Sequence, residues 1–174
     1  QKRRAVELAK NDWVLCLDAD EALSPELSDE IQKLWNTSER KDGYRFPRLT
    51  FHLGRWIRHG GWHPDEQLRL FQKRKCLWTE APIHEHVVGT NIGKLESPLL
   101  HWNFIDLADQ VETNNRYSTL MAEQLWKEKR RYSHLKLLFK PVSKFIESYF
   151  LKRGFLDGWA GFVISVGASY SVFL

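Results

Sequence analysis

The sequence predicts an α/β fold in which a mixed sheet is followed by amphipathic C-terminal helices. Three observations support this prediction. An apolar run at residues 13–17 leads into Asp-Ala-Asp-Glu, short strand-like patterns follow between residues 44 and 102, and apolar residues recur at helical spacing from Asp106 onward. The 174 residues therefore divide into a sheet-containing part, 1–105, and a helical part, 106–174.

The first elements follow from apolar spacing and from capping residues. Residues 1 to about 10 are expected to form an amphipathic helix, because their apolar side chains share one face. The uninterrupted apolar run 13–17 is typical of a strand buried on both faces in a parallel sheet. Ser24 is a good N-cap and Pro25 a favoured first residue for the next helix. Its apolar stripe consists of Leu27, Ile31, Leu34 and Trp35.

The middle of the chain is expected to form short strands. Residues 44–53 alternate in two phases that slip at Pro47-Arg48, which indicates an edge strand with a bulge. Gly60 and Gly61 allow a loop with close backbone approach. Further strands are expected at residues 68–71, 76–78 and 99–102.

Two long helices are expected after Asp106, which can cap the first of them. The second carries an apolar stripe over residues 135–150 opposite a face of lysines, and Pro141 should start or kink it. An amphipathic helix of this kind fits the surface of an anionic membrane leaflet, although packing on the sheet-containing part is the alternative. Residues 160–174 carry no charge, but they make only about 22 Å of helix against roughly 30 Å of hydrocarbon. We therefore expect peripheral contact and no spanning helix.

Composition indicates a globular chain with an anionic partner surface. The sequence is 43% hydrophobic and carries a net charge of +4, with the basic excess mostly after Arg116. No nucleic-acid partner is expected, because the lysines accompany an apolar face and no groove-reading element is recognisable. Cys16 and Cys76 are expected to be reduced core residues, since two cysteines do not make a disulfide framework.

Asp18 and Asp20 are the strongest candidates for a metal site. They flank Ala19 at the end of a predicted strand, so both carboxylates leave the same face and can share one divalent cation. Oxygen ligands favour Mg or Mn, which keep positions open for substrate phosphates. Helix capping or plain solvation of the carboxylates is the alternative.

Three motifs resemble family 2 glycosyltransferases, which have the GT-A fold. DWVLCLDADE, residues 12–21, resembles their metal-binding segment, and both Gly60–Phe71 and Pro82–Glu85 resemble one branch of the family. The C-terminal part resembles that of lipopolysaccharide core glycosyltransferases. The resemblance implies a partial GT-A-like fold and metal-dependent, inverting transfer of a hexose, first of all glucose. The donor would be a nucleotide sugar, and the acceptor a lipopolysaccharide core or another lipid-linked glycan.

The resemblance and the side-chain chemistry together nominate the site residues. For the base that takes the acceptor proton we favour Glu85 over Asp65, although Glu85 could instead pair with a neighbouring histidine. His101 would be a third metal ligand or a phosphate contact, with a structural role as the alternative. Arg69 would pair either with a diphosphate or with the acidic cluster. The remaining substrate-binding candidates are Trp62, Glu21 and His84. Trp62 would stack on a sugar face. For Glu21 the alternative is that it only orients a neighbouring side chain.

Two departures from the family pattern affect this interpretation. The sequence begins with Gln inside a helical pattern, and the nucleotide-binding strands that precede the acidic triplet in GT-A enzymes are absent. We therefore expect this chain to be an inactive fragment of the enzyme. The enzyme itself is expected in the cytoplasm, bound peripherally to the inner face of the cytoplasmic membrane. The base motif is His-Glu-His where many relatives carry Glu-Asp. Two alternatives to a glycosyltransferase stay open. The chain could be a D-x-D phosphohydrolase with Asp18 as nucleophile, or a noncatalytic fragment that binds an acceptor or a membrane.

Overall fold

A computed structural model describes residues 2–37, 39–79, 86–130 and 133–174. The chain forms two compact units, of which the first comprises residues 1–49 and 64–101 and the second residues 50–63 and 102–174. In chain order the elements are α1 (Lys2–Leu8), β1 (Trp13–Leu15), β2 (Glu21–Leu23), α2 (Pro25–Trp35), β3 (Gly43–His52), β4 (Arg55–Ile57), β5 (Asp65–Gln72), β6 (Leu77–Trp78), β7 (Val87–Val88), β8 (Ile92–Lys94), β9 (Leu99–His101), α3 (Leu107–Lys127), α4 (His134–Ile146) and α5 (Gly158–Phe173).

The first unit is built on a mixed sheet with the strand order β1-β5-β3-β9-β2. The β1–β5, β3–β5 and β2–β9 pairs are antiparallel, and β8 lies parallel to β3. A separate antiparallel pair joins β6 to β7. Together with the C-terminal helices this confirms the predicted α/β class, and it is consistent with a partial GT-A-like fold.

Helix α2 covers the sheet as its sequence predicts. The Ser24 hydroxyl accepts a hydrogen bond from Leu27 N at 3.1 Å, so the predicted N-cap is formed. The helix stripe then packs on the core of the unit, which removes its apolar face from water. That core contains Leu27, Tyr44, Phe46, Leu70, Leu95 and Leu99, with Trp13, Leu23, Ile31 and Leu34 against it.

Two strand predictions are wrong. Strand β1 is neither parallel nor fully buried, because it lies at the end of the strand order, pairs antiparallel with β5 and leaves Leu15 36% exposed. A short apolar run fixes neither the direction of the partner strand nor whether both faces of the strand are covered. Strand β3 is an interior strand rather than an edge, and its register with β5 shifts between Tyr44 and Arg45 instead of at Pro47. Its two-phase alternation arises because both faces are covered.

Both cysteines are free thiols, as the sequence predicts. Cys76 is buried and Cys16 is half-buried. Burial raises the pKa of each thiol. The thiols therefore stay protonated and pack as small apolar side chains.

The second unit contains the hairpin between the end of β3 and β4, together with the C-terminal helices. Asp106 caps α3 as predicted, with its carboxylate accepting from Asp109 N at 2.9 Å. Pro141 lies inside α4, and a π-helical turn (Glu147–Leu151) and a 3₁₀ turn (Gly154–Asp157) lead to α5. Within the described ranges no helix is both long and apolar enough to cross a bilayer.

Asp157 joins the start of α5 to the loop after β4. Its Oδ2 accepts from the backbone N–H of Arg58 at 3.0 Å and of His59 at 2.7 Å. The Arg55 guanidinium donates to the Asp157 carbonyl oxygen at 2.8 Å. Since Asp157 is only 2% exposed, these donors compensate for the burial of its charge.

Candidate functional site

Six of the predicted site residues lie together in the first unit. The β2–β9 register places Glu21 opposite His101, and the β3–β5 register places Arg48 opposite Asp65. The backbone after β1 stays beside β5, since Cys16 N donates to the Arg69 carbonyl at 2.8 Å, and this brings the acidic triplet to Arg69. The six are Asp18, Asp20, Glu21, Asp65, Arg69 and His101.

Glu21 lies at the centre of this cluster and its side chain is fully buried. One carboxylate oxygen accepts from Asp18 N at 2.9 Å, which closes the turn that carries the aspartates. The other accepts from Arg69 Nη2 at 2.6 Å and from Arg48 Nη1 at 3.3 Å. A ligand cannot reach Glu21 in this arrangement, so the carboxylate orients its neighbours.

Arg69 pairs with the acidic cluster, which was one of the two alternatives for this residue. Its Nη2 donates to Asp18 Oδ2 at 2.7 Å as well as to Glu21. Burial alone would lower the pKa of Arg69, but the carboxylates of Glu21 and Asp18 outweigh it and raise the pKa. The guanidinium is therefore a permanent positive charge beneath the aspartate turn.

The two aspartates have different surroundings. Asp18 is paired with Lys2 and with Arg69. Burial would raise the pKa of Asp18, but these two cations lower it below the ordinary value, so the carboxylate is ionised at neutral pH. The side chain of Asp20 is 44% exposed, and its Oδ2 lies 3.3 Å from His101 Nε2. Asp20 is thus the aspartate more open to a ligand.

His101 ends β9 and is 5% exposed. Burial and the nearby charge of Arg48 lower its pKa, against the opposing effects of Asp20 and Glu21. The imidazole is consequently neutral at pH 7, which is the protonation state that binds metal ions.

Arg48 is the member of the cluster that the sequence analysis missed as a functional residue. Its Nε and Nη2 donate to Asp65 Oδ2 at 2.9 and 2.5 Å, while Nη1 reaches Glu21. Gln67 Nε2 donates to the other oxygen of Asp65 at 2.8 Å. The available signal was an arginine inside a strand that is otherwise largely buried, since such a charge requires a carboxylate partner.

The donor atoms suit a divalent cation that is completed by its substrate. No group of three or more His, Cys, Asp or Glu side chains is placed to hold a metal in the described part of the chain. Asp20 and His101 nevertheless present two donors side by side. Mg²⁺ is commonly bound through one or two carboxylates plus waters and substrate phosphates, so Asp20 fits such an ion and His101 would add a nitrogen donor beside it.

Trp62 is not part of this cluster. Trp62 belongs to the second unit, where it stacks on His52 with ring centroids 5.6 Å apart and packs against Phe104. His84 and Glu85 lie outside the described residues.

Comparison with known proteins gives relatives named as glycosyltransferases. No family model matches the chain. Over its whole length the chain is 30% identical to an uncharacterized glycosyltransferase of Rickettsia typhi and 30% identical to one of Rickettsia prowazekii. It is 28% identical to the lipopolysaccharide core biosynthesis glycosyltransferase LpsC of Rhizobium meliloti. The chain spans 64% of the length of each Rickettsia protein and 66% of LpsC.

Proposed function

We propose that this chain is part of a glycosyltransferase of family 2 type that moves a hexose from a nucleotide sugar to a lipopolysaccharide core or another lipid-linked glycan. The observation that carries the proposal is the clustering of Asp18, Asp20, Arg69 and His101 at one place in the first unit. The relatives' names support the transferase class, and the name of LpsC supports the acceptor class.

The two aspartates have different roles in the proposed chemistry. A Mg or Mn ion held by Asp20 and His101 would neutralise the departing diphosphate. Asp18 is the proposed contact for the nucleotide ribose, and Arg69 and Glu21 fix its position. The cationic Arg69 also keeps the aspartate turn from accumulating uncompensated negative charge beside a diphosphate.

Glu85 is the proposed base that removes the proton from the acceptor hydroxyl, with inversion at the sugar carbon. Asp65 is the weaker candidate, because Arg48 and Gln67 together occupy both of its carboxylate oxygens. The matched variants Glu85→Gln and Asp65→Asn separate the two assignments, since only the first should abolish transfer.

Metal-dependent transfer is tested in the natural full-length protein with a panel of UDP-hexoses and a core oligosaccharide acceptor. Asp20→Ala should lower kcat/KM roughly 100-fold or more, because the loss of a metal ligand removes several kcal/mol of charge stabilisation. Asp12→Ala is the matched control, since the Asp12 side chain is 56% exposed and its ion-pair partner Arg74 is 79% exposed. Full activity of the Asp20 variant would refute the metal assignment. Acceptor binding without turnover in the unaltered protein would instead support the noncatalytic alternative.

We also propose that α4 binds an anionic membrane surface on the cytoplasmic side. The helix has no buried residue, and Leu135, Leu138 and Phe139 are each more than 60% exposed beside Lys136 and Lys140. Apolar area and basic charge on one helix are the combination that binds anionic leaflets.

Flotation with phosphatidylglycerol vesicles tests this surface. Reversing both charges with Lys136→Glu and Lys140→Glu should weaken binding at least 10-fold, as each basic residue near the surface contributes about 1 kcal/mol. The control is the pair Lys33→Glu and Lys41→Glu in the first unit. Equal flotation of both double variants would mean that α4 does not face lipid.

A further inference from the structure

Aromatic side chains form one cluster in the second unit, where α4 ends and α5 begins. Tyr149 lies at its centre, with its ring centroid 5.1 Å from that of Phe150, 6.2 Å from that of Phe155 and 5.8 Å from that of Phe162. Phe145 contacts Phe150 and Phe162 in turn. The cluster is not a closed core, because the rings of Phe150, Phe155 and Phe162 are each about half exposed. They present a connected apolar surface to the surroundings.

Three further apolar side chains extend this surface around the 3₁₀ turn. Leu151, Leu156 and Trp159 are each at least half exposed. Exposed apolar residues that are scattered singly are ordinary, but a concentration of them within a few turns of chain indicates an interaction surface. We call this surface the aromatic cap, and it consists of Phe150, Leu151, Phe155, Leu156, Trp159 and Phe162.

A basic loop is fastened to the same turn. Gly60 N donates to the Lys152 carbonyl oxygen at 2.9 Å, and the Ser148 hydroxyl donates to the Gly60 carbonyl oxygen at 3.0 Å. These hydrogen bonds join the loop that carries Arg58 to the turn that carries Lys152 and Arg153. Basic side chains from two distant segments are therefore held beside the aromatic cap.

The two arginines of this loop and turn are exposed and have no acidic partner. Within the described ranges no carboxylate pairs with the guanidinium of Arg58 or Arg153, whereas Lys152 is paired with Glu147. The backbone of Arg153 is left-handed, with a φ of 56° that a non-glycine residue seldom adopts. A guanidinium matches the oxygen atoms of a phosphate group, so both arginines are available to an anionic partner.

The composition of this surface favours a membrane over a second copy of the chain. Phenylalanine, leucine and tryptophan are the residues that insert at the boundary between headgroups and acyl chains, and arginine and lysine beside them contact the headgroups. In a symmetric pair of copies the cap would meet itself, and the unpaired guanidiniums of both copies would be brought together. An anionic bilayer covers the apolar side chains and neutralises the arginines at once.

We propose that the aromatic cap inserts into an anionic phospholipid bilayer, with Arg58 and Arg153 binding lipid phosphate groups. The proposal rests on the proposed membrane binding of this protein and deepens it, since most of the cap and the whole basic loop lie outside α4. In this arrangement α4 lies along the headgroups, and the cap is the part that reaches the acyl chains.

Vesicle flotation of the whole chain tests the insertion of the cap. Leu151→Asp/Leu156→Asp should weaken binding to phosphatidylglycerol vesicles at least about 10-fold, because both leucines lose their transfer into the acyl region. Ile105→Asp/Trp126→Asp is the matched control, since it makes the same charge change at side chains of the second unit that are 94% and 84% exposed outside the cap. The control should bind as tightly as the unaltered protein.

A second pair of variants tests the phosphate contacts. Arg58→Gln/Arg153→Gln should weaken binding to phosphatidylglycerol vesicles roughly 10-fold, as each basic residue at the surface contributes about 1 kcal/mol, and should change binding to phosphatidylcholine vesicles much less. Arg74→Gln/Arg130→Gln removes the same charge from arginines that are paired with Asp12 and Glu128, and it should have a smaller effect.

The outcomes that overturn the proposal are distinct. Undiminished flotation of Leu151→Asp/Leu156→Asp would mean that the cap does not enter the bilayer, and so would an equal loss in its matched control. A chain that sediments as a dimer without vesicles, and as a monomer in the cap variant, would assign the cap to a second copy. Thermal unfolding checks that each variant folds, and Leu151→Asp alone, at the most exposed side chain of the cap, replaces the double variant if that one unfolds.

These results are separable from those that test the proposed function. Flotation lost on reversing Lys136 and Lys140 but kept in the cap variant would leave α4 as the membrane surface and reject the cap. Full-length protein with the cap variant should still transfer sugar to a soluble core oligosaccharide. Cap-dependent flotation in an unaltered protein that transfers no sugar would keep the cap and reject the transferase.

Discussion

Replacing Arg69 by Met should destabilise the first unit by about 3 kcal/mol, because it leaves a buried carboxylate without its nearest cation. The side chains of Arg69 and Glu21 are 7% and 0% exposed, and removing one partner of a buried pair typically costs 3–5 kcal/mol. The lower end applies because Arg48 still reaches Glu21 at 3.3 Å. The partly exposed contact with Asp18 adds little, since Lys2 also pairs with that carboxylate.

Urea unfolding followed by tryptophan fluorescence and by far-UV circular dichroism measures this loss. Arg74→Met is the matched control, because Arg74 and Asp12 form an ion pair whose side chains are 79% and 56% exposed, and breaking it should cost less than about 1 kcal/mol. The double variant Glu21→Gln/Arg69→Met should lose about 1–3 kcal/mol less unfolding free energy than the losses of the two single variants added together. An Arg69→Met protein as stable as Arg74→Met would refute the account of Glu21 as a buried charge held by Arg69.

Two further predictions follow from burial. Because burial and Arg48 lower the pKa of His101 below its ordinary 6.5, the unfolded chain binds this proton more readily than the folded protein. The stability that neutral His101 contributes is thus complete above pH 6.5 and is lost as the pH falls from 6.5 through the folded pKa. Between about pH 8 and about pH 5.5, the unfolding free energy measured with urea should fall less in His101→Gln than in the unaltered protein. An equal fall in the two proteins would contradict this. In α5, a Cβ at Gly161 would lie 1.8 Å from the Gly154 carbonyl oxygen, so Gly161→Ala should cost at least about 3 kcal/mol. Gly167→Ala, whose Cβ would lie 3.4 Å from its nearest neighbour, should change the unfolding free energy by less than about 1 kcal/mol, and equal melting temperatures would disprove the clash.

The parts of the fold that are determined by local chemistry could be predicted from the sequence. The capped starts of α2 and α3 depend on Ser24 and Asp106, whose side chains bond to backbone N–H groups only three residues away. The partners of β1 and β3 could not be predicted, because they are chosen by packing between distant segments. A run of apolar residues is equally compatible with an antiparallel edge strand and a parallel buried one.

The candidate site shows the same division. Asp18 and Asp20 were recognisable because they follow an apolar strand, and His101 because it ends another. Arg48 was not, since its importance depends on lying opposite Asp65 and within reach of Glu21, two residues that are distant in sequence. A cavity beside Trp78 was equally hidden, because segments that are distant in sequence line it.

The position of Asp157 bears on the order in which the second unit is assembled during synthesis. The hydrogen bonds from Arg58 and His59 to this carboxylate join residues that are 99 and 98 positions apart in the sequence. The loop after β4 therefore cannot form them until residue 157 has been synthesised. Contacts of such long range are slow to form. Until Asp157 is in place, the backbone N–H groups of Arg58 and His59 lack this acceptor.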